Sequence, residues 1–211
     1  MSDGDGYRVR QTGAKLDCYS GGEGGFMDWS QGFRGRLLGP LLRSLSEVGV
    51  RANQVTYLSL VVGLAFCPLF LHGYQLLAYS CLFIHVLLDG LDGPLARFRG
   101  QASNRGSFTD TMVDQLVVTA TTLAMVHAGE ASIWSGGLYV FFYAVVVGFA
   151  FVRNALKAPY SWLFRPRFVV FLWFAVNGFI WPGTLEWVLW GVTGILAVKA
   201  VTGFLSIRRR I

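Results

Sequence analysis

Six apolar stretches dominate the chain, roughly Val55 to Leu71, Gln75 to Leu95, Phe108 to Val126, Ile133 to Val152, Pro166 to Pro182 and Leu185 to Leu205. Most approach the ~20 residues an α-helix needs to cross ~30 Å of hydrocarbon. Lipid offers the backbone no hydrogen-bond partner, so such stretches satisfy their own N–H and C=O groups by becoming helices. The expected fold is all-α: a polytopic membrane protein with six transmembrane helices. In the fifth stretch only Phe168 to Trp181 is free of charge, and Gly178 interrupts it. A tilted or interfacial neighbour can complete such a span. The composition, 54% hydrophobic and 14% charged, stands against about 45–50% and about 25% in soluble domains. It excludes disorder over most of the length, and one domain, without a second catalytic module, is expected of 211 residues.

Charge orients the bundle. Positive residues collect in cytoplasmic loops near span ends. Arg8, Arg10, Lys15, Arg34, Arg36, Arg43 and Arg51 precede the first stretch, and Arg97, Arg99 and Arg105 lie between the second and third. Arg153, Lys157, Arg165 and Arg167 lie between the fourth and fifth, and Arg208, Arg209 and Arg210 end the chain. The opposite loops, around His72 to Tyr74, His127 to Ser132 and Gly183 to Glu186, hold no Lys or Arg. Both termini are therefore expected in the cytoplasm. The net charge of +6 is accounted for by contact with membrane lipids, with no nucleic-acid partner. No secretory signal peptide is expected, since about fifty polar, Gly-rich and basic residues precede the first apolar run. Cys18, Cys67 and Cys81 cannot all pair and lack metal-ligand spacing, so they read as packing residues.

Three segments follow. Residues 1–25 are rich in Gly, Ser, Asp and Arg and are expected to be a flexible cytoplasmic tail. In residues 26–50, Phe33, Leu37, Leu38, Leu41, Leu42 and Leu45 recur at helical spacing while Arg34, Arg36 and Arg43 stay polar. That pattern predicts a juxtamembrane amphipathic helix in the bilayer interface. Gly39 and Pro40 offer it a kink. Residues 51–211 form the six-helix membrane domain.

Of twelve acidic residues, Glu186 stands at the very start of the last apolar stretch, and four fall deeper within the stretches: Asp89 and Asp92 late in the second, Asp110 and Asp114 early in the third. A carboxylate in hydrocarbon is costly and faces the bundle interior or a water-filled cavity. The i,i+3 and i,i+4 spacings put each pair on one helix face, and the short connection makes the two helices antiparallel neighbours. Gly106 extends the second stripe by one turn, where a side chain would crowd a ligand. Two divalent cations would neutralise four carboxylates, and hard Mg2+ or Mn2+ prefers oxygen ligands and commonly uses phosphates to complete its shell. A paired-metal site at headgroup level is suited to phosphoryl transfer.

Asp89, Asp92, Gly93, Ala96, Arg97, Gly106, Asp110 and Asp114 match, with no residue missing, the D-x-x-D-G-x-x-A-R-x8-G-x-x-x-D-x-x-x-D pattern of the CDP-alcohol phosphotransferases, which this chain resembles. The resemblance implies a six-span membrane enzyme with an amphipathic N-terminal helix, and a homodimer. It implies that Asp89, Asp92 and Asp110 ligate metal, and that Asp114 is the general base and shares the second ion. It further implies that Gly93 and Ala96 let a nucleotide lie close to the helix, beside Gly106, while Arg97 holds its phosphates. Asn53 and Thr56 resemble the family's P-N-x-x-T element, with Ala52 in place of the proline.

Alternatives stand beside these readings. An ion-paired structural cluster would need several cations inside the bundle, and only Arg97 is close in sequence. A divalent-cation transporter would need polar groups across the whole thickness, whereas the ionisable residues inside the spans, away from their outer ends, lie in the cytoplasmic half apart from His85. His85 itself reads as a hydrogen-bonded core histidine. Arg153, Lys157, Arg165 and Arg167 are candidates to bind the acceptor, or else positive residues touching lipid phosphates. Gly63, Gly148 and Gly194 read as helix-packing positions.

The expected activity is transfer of a phosphatidyl group from CDP-diacylglycerol to a small polar alcohol, releasing CMP. The alternative is a CDP-choline or CDP-ethanolamine type of transferase acting on diacylglycerol. The short chain looks more like prokaryotic members, which points to CDP-diacylglycerol and a bacterial inner membrane, with the site near the cytoplasmic face. Members acting on phosphorylated acceptors commonly carry Lys or Arg after the last aspartate, where this chain has Gln115.

Overall fold

A computed structural model describes residues 39–158, 160 and 165–211. The expected tail, residues 1–25, lies outside the described residues, as do residues 26–38 of the expected amphipathic helix. The described part of that helix, α1, runs over residues 39–47. Its Leu42 is buried against Val55 and Leu95, with Leu45 packed alongside, while Leu41 and Arg43 are exposed. One face therefore leans on the bundle.

Six helices follow: α2 (Ala52–Leu71), α3 (Gln75–Phe98), α4 (Asn104–His127), α5 (Ile133–Ala155), α6 (Pro166–Phe179) and α7 (Leu185–Arg208). They appear in the order of the six apolar stretches, and most run a few residues further at their charged ends. Ser103 and Ser132 cap α4 and α5 by accepting from the backbone N–H of Gly106 and Ser135. Pro166 opens α6 at a position where the missing N–H is no loss. Gly100, at φ 63, ends α3 and turns the chain into the short connection to α4.

Four of the helices, α2, α3, α5 and α7, are long and apolar enough to cross a membrane. Large apolar side chains face outward along them, among them Val61 at 66%, Leu76 at 71%, Phe83 at 64% and Trp187 at 78% exposed. Such a surface suits lipid, and the protein is an all-helical membrane protein. The fifth stretch is corrected: α6 has 14 residues, ends at Phe179 and turns through Trp181, Pro182 and Gly183. At ~1.5 Å per residue it spans ~21 Å, short of the hydrocarbon thickness.

α2 packs on α3 and α4, α5 on α4 and α7, and α6 against α3 and α7. The core holds Phe66, Phe70, Tyr79, Phe171 and Phe174, with Val117, Met125, Tyr139, Leu185 and Leu189. Gly63 is a close-packing position, because a Cβ there would meet Val117 at 2.8 Å and His85 at 3.0 Å. Gly148 and Gly194 have nothing within 4 Å of such an atom, so their expected packing role is corrected. Gly136, Gly178 and Gly203 take that role against Val126, Tyr79 and Tyr160. Cys67 and Cys81 are free thiols within the bundle.

Candidate active site

The short α3–α4 connection sets the late turns of α3 beside the early turns of α4, and the aspartates meet there. One carboxylate oxygen each from Asp89, Asp110 and Asp114 lie within 4.8 Å of one another. Asp92 stands at the edge of this group. It accepts a hydrogen bond from Thr56 Oγ1 at 2.7 Å and abuts the Asp110 carboxyl. Asp110 Oδ1 and Asp114 Oδ1 are buried with no hydrogen-bond partner. Buried carboxylate oxygens left in that state are costly, and an all-oxygen anionic donor set fits a hard divalent cation.

One cation of the chain itself enters this group. Arg167, in the first turn of α6 and only 5% exposed, donates from Nη2 to Asp89 Oδ2 at 2.6 Å and pairs through Nη1 with Asp114. Proximity in sequence pointed to Arg97 as the nearby cation. The cation found there is instead Arg167, which arrives from a helix far along the chain.

Next to the carboxylates lies a cavity of about 420 Å³, into which Asp92 and Asp110 project. Its lining includes Asn53, Thr56, Gly93, Ala96, Arg97 and Gly106, the six residues that the resemblance assigns to nucleotide. A Cβ on Gly93 would sit 3.6 Å from the Arg97 guanidinium, and one on Gly106 3.4 Å from Ser103 Oγ. The small residues thus keep the cavity floor clear. Arg51, Arg99, Gln101, Ser103 and Ser107 also line it, and sequence reasoning did not single them out for this. Arg51 and Arg99 carried a usable signal, being cations flanking the two motifs, but both were absorbed into the general positive charge of that side. Arg99 also donates to the Val50 carbonyl, joining the α3 end to the start of α2.

The other expected acceptor residues are not among those lining this cavity. Arg153 Nε donates to the Ala158 carbonyl at 2.9 Å, and its guanidinium sits 4.2 Å from the centre of the Tyr160 ring. Tyr160 in turn donates to the Lys199 carbonyl at 3.2 Å, tying the α5–α6 connection to α7. Burial raises the Tyr160 phenol above its ordinary value, against a smaller opposing effect of Arg153, so it remains a neutral donor. Lys157 and Arg165 are exposed. His85 is fully buried, with Nδ1 2.7 Å from Ser59 Oγ and its ring edge-on to Phe171. It is a hydrogen-bonded core histidine.

A helical membrane bundle that buries clustered carboxylates beside an arginine-lined cavity defines a class: an integral membrane protein with an acidic site next to a basic pocket. The CDP-alcohol phosphatidyltransferase family model matches residues 50–204, and the chain belongs to that family. It is 27% identical over 132 residues to "Inner membrane protein YnjF" of Escherichia coli, covering 63% of this chain and 64% of that protein. It is 35% identical over 74 residues to "Archaetidylinositol phosphate synthase" of Pyrococcus horikoshii, covering 35% and 39%. The matches thus span from about two fifths to somewhat under two thirds of the length of these relatives. The fold resembles that of the Mycobacterium tuberculosis phosphatidylinositol phosphate synthase PgsA1, solved with CDP-DAG bound, at a TM-score of 0.68 and 21% identity. That alignment covers 82% of this chain and 94% of the other.

Proposed function

We propose that the protein is an integral-membrane enzyme of phospholipid synthesis that transfers a phosphatidyl group from CDP-diacylglycerol to a small polar alcohol. The observation that carries this reading is the shared boundary of cavity and carboxylates: the pocket lined by Asn53, Thr56, Gly93, Ala96, Arg97 and Gly106 opens onto Asp92 and Asp110. A nucleotide there would present its diphosphate to the acidic group. Asp89, Asp92, Asp110 and Asp114 would hold two divalent ions, Mg2+ or Mn2+, which supply positive charge to the diphosphate. Arg97 adds a fork of donors for phosphate oxygens.

The residues then divide the chemistry. The acceptor hydroxyl forms a new bond to the phosphorus attached to diacylglycerol, the bond from that phosphorus to the CMP oxygen breaks, and CMP leaves. Asp114, whose Oδ1 has no donor, accepts the hydroxyl proton, which water near neutral pH removes poorly. Arg153, Lys157 and Arg165 are proposed to face the acceptor, from the side that carries the positive charge, while Arg167 is held inside the acidic group by Asp89 and Asp114.

In this reading all six helices α2–α7 serve as spans, with neighbours completing α6. Both termini and the site lie on the cytoplasmic side of a bacterial inner membrane, and the chain pairs as a homodimer by family resemblance. The inner-membrane name of the Escherichia coli relative supports the location.

The test is CMP release by the purified protein in lipid nanodiscs, with labelled CDP-diacylglycerol, Mg2+ or Mn2+, and serine, glycerol phosphate, inositol, inositol phosphate or glycerol as acceptor. A labelled phospholipid formed with one of them is the expected result. Turnover of CDP-choline or CDP-ethanolamine with diacylglycerol instead would reverse the assignment of donor and acceptor.

A further inference from the structure

Arg167 is the unusual member of the acidic group. Its guanidinium pairs with Asp89 of α3 and Asp114 of α4, and both of these belong to the three aspartates whose oxygens converge within 4.8 Å. A guanidinium and a divalent cation drawn to the same two carboxylates are in competition. Their mutual repulsion is weakly screened, since the side chains of Arg167 and Asp89 are 6% and 8% exposed.

A purely structural ion cluster would satisfy its own oxygens. This one does not, because Asp110 Oδ1 and Asp114 Oδ1 stay without donors although Arg167 is in place.

We propose that Arg167 is a positioning residue that exchanges with metal. With no ion bound it holds Asp89 and Asp114 in register across two helices. When an ion takes those carboxylates, the guanidinium is driven off them and is left beside the site as a two-pronged partner for a phosphate oxygen. Arg167 therefore weakens metal binding to the empty enzyme and strengthens the dependence of metal binding on the donor's diphosphate. This inference rests on the metal-dependent transferase reading above and adds an order to it: ion and nucleotide bind cooperatively through one side chain.

The experiment is a Mn2+ titration of the full chain in nanodiscs, following free Mn2+ by electron paramagnetic resonance, with and without CDP. Arg167→Gln should bind Mn2+ about tenfold or more tightly than the native protein when CDP is absent. Arg167→Lys, which keeps the charge, should stay near native. The gain in Mn2+ affinity on adding CDP should be smaller in Arg167→Gln than in the native protein. In the native protein itself, phenylglyoxal labelling of Arg167, read by mass spectrometry, should rise as Mn2+ is added. The labelling arm does not depend on any variant folding. Unchanged or weaker Mn2+ binding by a folded Arg167→Gln, or labelling of Arg167 that Mn2+ leaves unchanged or lowers, overturns the exchange while leaving the transferase reading intact. A native protein that binds no Mn2+ with or without CDP overturns both.

Discussion

Thr56 donates its hydroxyl to Asp92 Oδ2 at 2.7 Å, joining α2 to the carboxylate-bearing half of α3. Both residues are buried, and the Thr56 Oγ1 contact to the Ala52 carbonyl is longer, at 3.1 Å. A hydroxyl has one proton, so the shorter contact to the carboxylate claims it. Thr56→Val removes that donor while keeping the shape. Loss of a hydrogen bond to a charged group costs about 1.5–3 kcal/mol, so kcat/KM for the CDP-linked donor should fall roughly ten- to hundredfold. Thr56→Ser should restore most of it. Steady-state CMP release, with thermal unfolding measured alongside, checks both variants.

Removing metal should abolish the reaction. The clustered carboxylates offer only oxygen, and two of those oxygens, Asp110 Oδ1 and Asp114 Oδ1, are buried without a donor. Excess chelator should stop CMP release and either Mg2+ or Mn2+ should restore it, while Ca2+, larger and less strict in geometry, should bind without supporting turnover. Undiminished CMP release in chelator would remove metal from the reaction.

Asp92 and Asp114 should separate by what they lose. Asp92 lines the cavity and abuts Asp110, whereas Asp114 lies on the far side of the acidic group, paired with Arg167. Asp92→Asn or Asp89→Asn should weaken both donor binding and turnover. Asp114→Asn should lose turnover while keeping donor affinity closer to native, because a base serves the attack and not the nucleotide. Equilibrium CDP binding measured beside CMP formation decides this, and an active Asp114→Asn enzyme would end its role as base.

Much of this arrangement was legible in the sequence because lipid is an exacting solvent. Contiguous apolar runs must become helices, so the order of α2–α7 and most of their ends could be read directly. The aspartates are close along the chain, and a short turn at Gly100 leaves their two helices no choice but to be neighbours. Arg167 was not legible as their partner. Its place depends on how α6 packs on α3, and no local spacing encodes that. The length of α6 was overestimated because Trp181 and Pro182 are apolar and extend the run, although proline and Gly183 turn the backbone. Glycines show the same limit. Gly148, Gly194 and Gly203 look alike as small residues in apolar helices, yet among these three only Gly203 has a side chain, that of Tyr160, seated where its Cβ would be.

Arg153 offers the last discrimination. Its guanidinium stacks on the Tyr160 ring, and Tyr160 packs on Gly203 and donates to the Lys199 carbonyl, so Arg153 has a structural duty. If it also faces an anionic acceptor, the two duties differ in what they change. Gly203→Ala, which displaces the Tyr160 hydroxyl, and Tyr160→Phe, which removes its bond to Lys199, disturb only the tie between the α5–α6 connection and α7. Both should lower the unfolding temperature and alter the acceptor and donor KM by similar, small factors. Arg153→Ala should add a rise in acceptor KM of roughly ten- to hundredfold over donor KM, the equivalent of about 1.5–3 kcal/mol for a lost charge-assisted bond. KM values for both substrates across the three variants make the test. If Arg153→Ala merely repeats the Tyr160→Phe pattern, its charge serves the connection between α5 and α6, and the acceptor is held by other cations of that face.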